Sequence, residues 1–435
     1  MARHCFVVVV ATLATLISLP SVAAQEKPQT RKATKEAAAT PAMTTKQLVE
    51  RAGGKYAPRF AAAEQRLGGV PGSGPAVMSG LKWLQRHQDE DGHWDSDGFM
   101  MHDTKGEACD GKGNAAHDVG LTGLAALALL ADGNTPGRGL YRREVRAALD
   151  WLVAQQDGRS GRIGTTASHT FIYDHAIAAY ALCEGYGLSD DAALKDAAQK
   201  AIDYLEMHRN PFAVWRYQPR DGDNDISVTS WAVSAYAAAQ DFGLDVNEKV
   251  FGIAAGYINV LTDPTNGRCG YTRRGEPSAR SAGAHSTVFP PEKGEALTAA
   301  ALFCRFRMGR EQADQEIMKL AAELVMTKPP VARKDSIDHY YWYYGSQAMY
   351  QVGGQYWARW SAALQDALIK TQRQDNNFKG SWDPTGVWGR EGGRVYATAM
   401  ATLALSSGHR YARAADTDKP ESRPAKGKPG DKRDK

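Results

Sequence analysis

The chain has 435 residues, 43% of them hydrophobic and 23% charged, with a formal net charge of +4. That balance excludes a disordered or collagen-like protein and fits ordinary globular material. The charge is small for the length, and much of the excess lies in the tails, so no nucleic-acid surface is implied.

Arg3 and His4 precede the apolar run Phe6–Leu19 and the small-residue stretch Ser21-Val22-Ala23-Ala24. This reads as a secretory signal peptide over residues 1–24, too short and wrongly flanked for a membrane span. With no cysteine at the cleavage point, lipidation is not expected. The expectation is therefore a secreted or periplasmic protein without an integral membrane span. Residues 25–45, rich in Lys, Thr, Ala and Pro, read as a disordered linker, and 46–74 as a lead-in. The last stretch, 412–435, is a basic tail low in apolar residues and predicted to be disordered.

Between these ends, over 75–411, two kinds of helix alternate. Ala76–Gln88, Tyr141–Gln156, the stretch from Leu194 to Leu205, Asn247–Thr262, Glu311–Thr327 and Tyr356–Gln372 are outer-type helices. In the third of these, Leu194, Ala198, Ala201, Ile202 and Leu205 make one stripe among charged residues. Each is followed by a helix that is apolar or small nearly all round: His117–Leu130, Tyr173–Glu184, Ile226–Gln240, Glu295–Arg307, Asp338–Gln351 and Val395–Ser406. A helix without a charged face has to be buried on most sides. Six such pairs favour a closed ring over an open solenoid, which would leave two ends to cap. The predicted fold is all-α, an (α/α)6 toroid.

Four cysteines remain after the leader: Cys109, Cys183, Cys269 and Cys304. Cys183 and Cys304 fall within inner helices a whole repeat apart, too far for a disulfide. Buried free thiols are expected, with a loop bridge between Cys109 and Cys269 as the one exception.

The loops carry the most specific pattern. Trp83-Leu84, Gln88, Gly92 and Trp94 form an aromatic-aliphatic pair followed by Gln, Gly and Trp. The pattern recurs in reduced form as Trp151-Leu152, Gln156 and Gly161, as Tyr204-Leu205 with Trp215, and as Leu368, Gln372, Gly380 and Trp382. The glutamine is suited to carbonyls left free at the outer helix's end, and the tryptophan to packing on a neighbouring repeat. This resembles the QW motif of squalene–hopene cyclases. The chain resembles the squalene cyclase and protein prenyltransferase type of α/α toroid, and more closely the exported bacterial prenyltransferase/squalene oxidase repeat proteins. The resemblance implies a central cavity whose mouth is lined at the starts of the inner helices.

Asp118, Asp174, Asp225, Glu295 and Asp338 stand at those starts. Each suits an N-cap; together they would ring the mouth with carboxylates of raised pKa. Asp223-Asn-Asp225-Ile226 resembles the DxDD acid motif of the cyclases with its last acid replaced, so Asp225, Asp223 and Asp118 are the candidate catalytic acids. Asp174, His175, Trp231, Asp338, His339, Tyr341 and Trp342 are the candidate cavity-lining residues, in a neighbourhood that also holds Tyr340, Tyr343 and Tyr344. Aromatic rings there suit either a cation or simple core packing.

No metal or other cofactor is expected. The Asp-x-Cys pair of the prenyltransferases is absent, and Tyr341 stands where their zinc-binding His would fall. His102, Asp103, Cys109, Asp110 and His117 are ligand types without a standard spacing. The readings left open are an enzyme or ligand-binding protein acting on an apolar, isoprenoid-like molecule, a non-catalytic scaffold contacting a protein partner at the toroid's rim, and a carbohydrate-active (α/α)6 enzyme.

Overall fold

A computed structural model describes residues 43–51, 54–65, 69–104, 106–281 and 283–417. All the structure discussed below belongs to the unit Pro41–Lys435. The signal peptide, most of the linker and most of the basic tail expected from the sequence lie outside the described residues.

Two lead-in helices, α1 (Thr45–Arg51) and α2 (Ala57–Gln65), precede the repeats. The outer helices are α3 (Gly74–Arg86), α5 (Arg142–Ala154), α7 (Ala192–His208), α9 (Lys249–Leu261), α12 (Gln315–Met326) and α14 (Gly354–Thr371). The inner ones are α4 (Asp118–Ala131), α6 (Phe171–Gly187), α8 (Ile226–Asp241), α11 (Ala296–Arg307), α13 (His339–Val352) and α15 (Gly389–Leu405). A short helix, α10 (Ala284–Val288), sits in the long loop before α11. Around the inner layer α4 packs on α6, α6 on α8, α8 on α11, α11 on α13 and α13 on α15, and α15 returns to α4. The ring is closed, and the fold is an (α/α)6 toroid.

Sequence explains the two layers. The outer helix α5 buries Val145, Ala148, Leu149 and Leu152, one stripe at helical spacing. The inner helix α4 is buried continuously from Gly120 to Ala131. Small residues let inner helices approach: a Cβ at Gly123 would come within 3.1 Å of the Ala178 backbone nitrogen on α6. Closure uses a kink in α15. Gly393 has φ 65°, which a side chain would strain, and its bend lets the Arg394 N–H donate to Gly111 O at 2.8 Å.

The recurring loop residues divide their work differently from the sequence expectation. Trp94, Trp215 and Trp382 each donate the indole N–H at 2.8 Å to a carbonyl in the last turn of their own outer helix, those of Leu84, Leu205 and Leu368. The glutamines instead reach sideways. Gln88 bonds Gly92 O and Glu144 O, Gln156 bonds Gly161 O and Ala197 O, and Gln372 bonds Gly380 O and Ala76 O. Each second carbonyl belongs to the next outer helix, and Gln372 to Ala76 joins the last repeat to the first. The indole is rigid and sits under its helix; the amide has the reach to cross.

The end of the ring where the inner helices finish is plugged. Arg59 of α2 is fully buried and donates to Glu184 Oε2 at 3.0 Å, to Leu130 O and to Arg410 O. Arg410 and the Tyr411 hydroxyl hold the other Glu184 oxygen at 3.2 and 2.6 Å. Although burial works against its ionisation, Arg59 and Arg410 hold the Glu184 carboxyl down at about 2. A buried carboxylate is tolerable only with its lone pairs filled in this way.

The four cysteines among the described residues are buried and free, so the bridge expected between Cys109 and Cys269 does not form. Cys269 lies beside α11, its N–H bonded to Thr298 Oγ1, whereas Cys109 belongs to a loop tied to the last repeat. Among the described residues no helix is long and apolar enough to cross a membrane.

Candidate functional site

At the opposite end, the mouth, the inner helices begin. Here the five acids do not form a free ring, because each is engaged locally. Glu295 is held by Arg268 in two contacts, 2.7 and 3.2 Å. Asp338 caps α13 by accepting the Tyr341 N–H at 3.0 Å and takes Arg280 at 3.2 Å. Asp118 accepts the Ser96 N–H at 2.9 Å, and burial raises its carboxyl to about 6. Asp174 faces His117, whose Nδ1 is 3.0 Å away. Gly120 makes that approach possible, since a Cβ there would stand 2.4 Å from an Asp174 oxygen. The bond to Asp174 raises the His117 pKa, and burial raises that of Asp174.

Asp225 is fully buried at the start of α8. One carboxylate oxygen accepts the Val228 N–H at 2.8 Å, the N-cap bond. The other accepts the Tyr271 hydroxyl at 3.1 Å, and Tyr217 Oη lies 2.5 Å from Tyr271 Oη. As Tyr271 gives its proton to Asp225, Tyr217 must give its own to Tyr271. The Arg216 guanidinium covers both phenol rings, 5.1 and 5.5 Å from their centroids, with Nε 3.5 Å from Asp225. Burial lifts the Asp225 carboxyl to about 6, against the pull of these donors. The Asp223 carboxylate is exposed and lies 3.5 Å from Arg216.

Further rings approach from other helices. Ser227 Oγ and Tyr340 Oη are 2.9 Å apart across α8 and α13. Tyr173 of α6 packs 6.2 Å from Tyr217 and feels the charge of Asp225. His339 points its ring toward Tyr396 of α15. Tyr173, Tyr217, Tyr271 and Tyr396 are half-buried, so phenol faces line the opening. Below them the axis is filled: Trp231 stacks on Tyr343 at 5.5 Å and meets Tyr344 edge-on.

Of the residues singled out from sequence, Asp225, Trp231, Asp174 and Asp118 belong to this end of the ring, with Asp118 bonded to Ser96. Two of the cavity candidates turn outward. His175 accepts the Ile163 N–H on Nδ1 and donates from Nε2 to Ala201 O. It thereby fills a slot that a threonine hydroxyl occupies in other repeats, where Thr122, Thr229 and Thr398 accept from the N–H of Trp94, Trp215 and Trp382. Tyr341 donates its hydroxyl to Val325 O and Lys328 O, behind the ring. Trp342 is buried against His339. The ligand types in the first loop also part company: His102 goes to Asp89, Asp110 to Arg394 and His117 to Asp174. Sequence reasoning missed Tyr271, Tyr396 and the role of Arg216. They come from different loops and helices, and nothing in their spacing brings them together.

No protein family and no curated protein matches the sequence. Among solved structures the chain is similar to cellobiose 2-epimerase from Bacillus thermoamylovorans, at 12% identity over 80% of this chain and 97% of that one, with TM-score 0.52. It is similar to an inactive variant of an α-1,6-mannanase of Salegentibacter in complex with α-1,6-mannotriose, at 9% identity over 77% and 99%, TM-score 0.51. A type II terpene cyclase from Scytonema, in complex with geranylgeranyl dihydroxybenzoate, shares 14% identity over 81% and 98%, TM-score 0.48. At such identities the likeness establishes the (α/α)6 toroid and leaves the chemistry to the site.

Proposed function

We propose that this toroid binds a small molecule with an apolar, isoprenoid-like body across its tyrosine-lined mouth, and that Asp225 is the acid of the site. The observation that carries this reading is the chain from Asp225 through Tyr271 to Tyr217, set among aromatic rings. With Asp225 ionised, both phenol protons point inward toward it. Protonating Asp225 reverses the chain: its O–H donates to Tyr271, Tyr271 donates to Tyr217, and the Tyr217 proton is freed toward the mouth. A carboxyl near 6 is suited to holding and giving a proton near neutral pH. The ring faces would stabilise positive charge on a ligand. Because Trp231 and Tyr343 fill the axis, the ligand lies over the first turns of the inner helices and does not thread the ring.

A second reading rests on a different observation. The His117–Asp174 pair and the half-buried phenols also suit proton transfer on a sugar, the substrate class named for the epimerase and the mannanase. Calorimetric titration with a long-chain prenyl alcohol and with cello- and manno-oligosaccharides separates the two. The first reading expects the prenyl alcohol to bind and Tyr340→Ala to weaken it. Saturable sugar binding with no response to the alcohol would replace it with the second. Export, taken from the N-terminal pattern alone, is part of the proposal; secreted protein should begin at Gln25, and an intact Met1 would remove it.

A further inference from the structure

The loop joining α3 to α4 brings together three side chains that the mouth does not use. A ring nitrogen of His87, a carboxylate oxygen of Asp103 and Cys109 Sγ all lie within 4.8 Å of one another, with His87 Nε2 3.0 Å from Asp103 Oδ1. His87 is 1% exposed and Cys109 4%, and the Asp103 side chain is also nearly covered. Trp83 stacks on the imidazole at 4.0 Å, and Phe99 meets both rings edge-on, 5.9 Å from the imidazole and 5.6 Å from the indole. The nearby Arg86 guanidinium is committed to Lys379 O at 3.0 Å.

The histidine is held in a fixed orientation. Its Nδ1 lies 2.8 Å from Trp83 O, a carbonyl that can only accept, so the proton sits on Nδ1. In the neutral ring Nε2 then presents a lone pair to Asp103 Oδ1, 3.0 Å away. Two acceptors at that distance repel unless a proton or a metal cation bridges them, and the thiol of Cys109 beside them makes a metal ion the candidate bridge. A backbone carbonyl fixing Nδ1–H while Nε2 faces the ligand set is the usual support of a metal-bound histidine. The set shares no position with an inner-helix start, and its chain order of His, Asp and Cys differs from an Asp-x-Cys pair with a distant His.

We propose that His87, Asp103 and Cys109 bind one zinc-class divalent ion. Thiolate, imidazole and carboxylate together select a borderline-soft cation, with bonds of about 2.0–2.3 Å. Three protein ligands leave a fourth position for water. Binding removes one proton, from the Cys109 thiol, to solvent. The ion would staple the loop, whose described residues include short 3-10 turns at Phe99–His102 and Ala115–His117, to the end of α3.

Cobalt(II) titration of the full metal-free chain tests this. The expected result is one cobalt per chain with a thiolate-to-cobalt charge-transfer band, displaced by zinc, lost in Cys109→Ser and kept in Cys269→Ser. Wild type should also melt higher with zinc than with chelator. If Cys109→Ser does not fold, Asp103→Asn replaces it and should weaken cobalt at least tenfold. A wild type without the band, or a band surviving Cys109→Ser, overturns the proposal. So does cobalt bound without thiolate character, which would place it on the more exposed Asp89, Asp91 and His93.

Discussion

Buried charges decide the most at the level of single residues, and the two ends of the ring treat them oppositely. At the plugged end Glu184 is ionised because Arg59, Arg410 and Tyr411 saturate it. Glu184→Gln would leave two guanidinium groups together without their counter-charge. It should cost about 3–5 kcal/mol in urea melts, and a loss below 1 kcal/mol would mean that water reaches the pair. At the mouth Asp225 is buried with weaker compensation, and its carboxyl rises to about 6. The folded state then holds this proton more tightly than the unfolded chain. The group costs nothing below about pH 4, and its cost grows as pH rises to about 6 and stays constant above. A rise from the ordinary aspartate range to about 6 corresponds to about 3 kcal/mol at most. Asparagine caps about as well as aspartate. The stability difference between Asp225→Asn and wild type should therefore move in the variant's favour between about pH 4 and 7, and an unchanged difference would place the carboxyl in its ordinary range.

Among the elements, the outer/inner alternation was legible because it is written in composition. A helix such as ISVTSWAVSAYAAAQ has no polar face to show to water. The repeated Trp and Gln were legible as a pattern but not as a division of labour. Which carbonyl each one serves depends on where the neighbouring helix comes to rest. Trp382→Ala should cost about 3–5 kcal/mol, because it removes a buried aromatic anchor. Gln372→Ala should cost about 1–3 kcal/mol by removing both buried amide bonds, to Gly380 O and Ala76 O. Chemical denaturation of the two variants checks both. Equal, near-zero losses would mean that the loops contribute little to holding neighbouring repeats together.

For the whole molecule, closure of the ring turns a series of similar pairs into a body with two unlike ends. The lead-in helix α2 and the segment around Arg410 fill one end, and loops carrying tyrosines shape the other. The sequence suggested an acid ring at that mouth because acids recur at inner-helix starts. The folded chain has neutralised or capped most of them with Arg268, Arg280, His117 and Ser96, partners that lie 22 to 58 residues away from them. Long-range pairing of this kind leaves no local trace in a single sequence. What remains distinctive is one raised acid wired through two phenols to an aromatic opening. Its most direct test is calorimetric binding of a long-chain tertiary amine to wild type and Asp225→Asn across pH 4 to 8. The account predicts that wild-type affinity increases as pH rises through about 6 and Asp225 ionises, while the variant binds more weakly and without that dependence. Equal binding by the two proteins at every pH would contradict it.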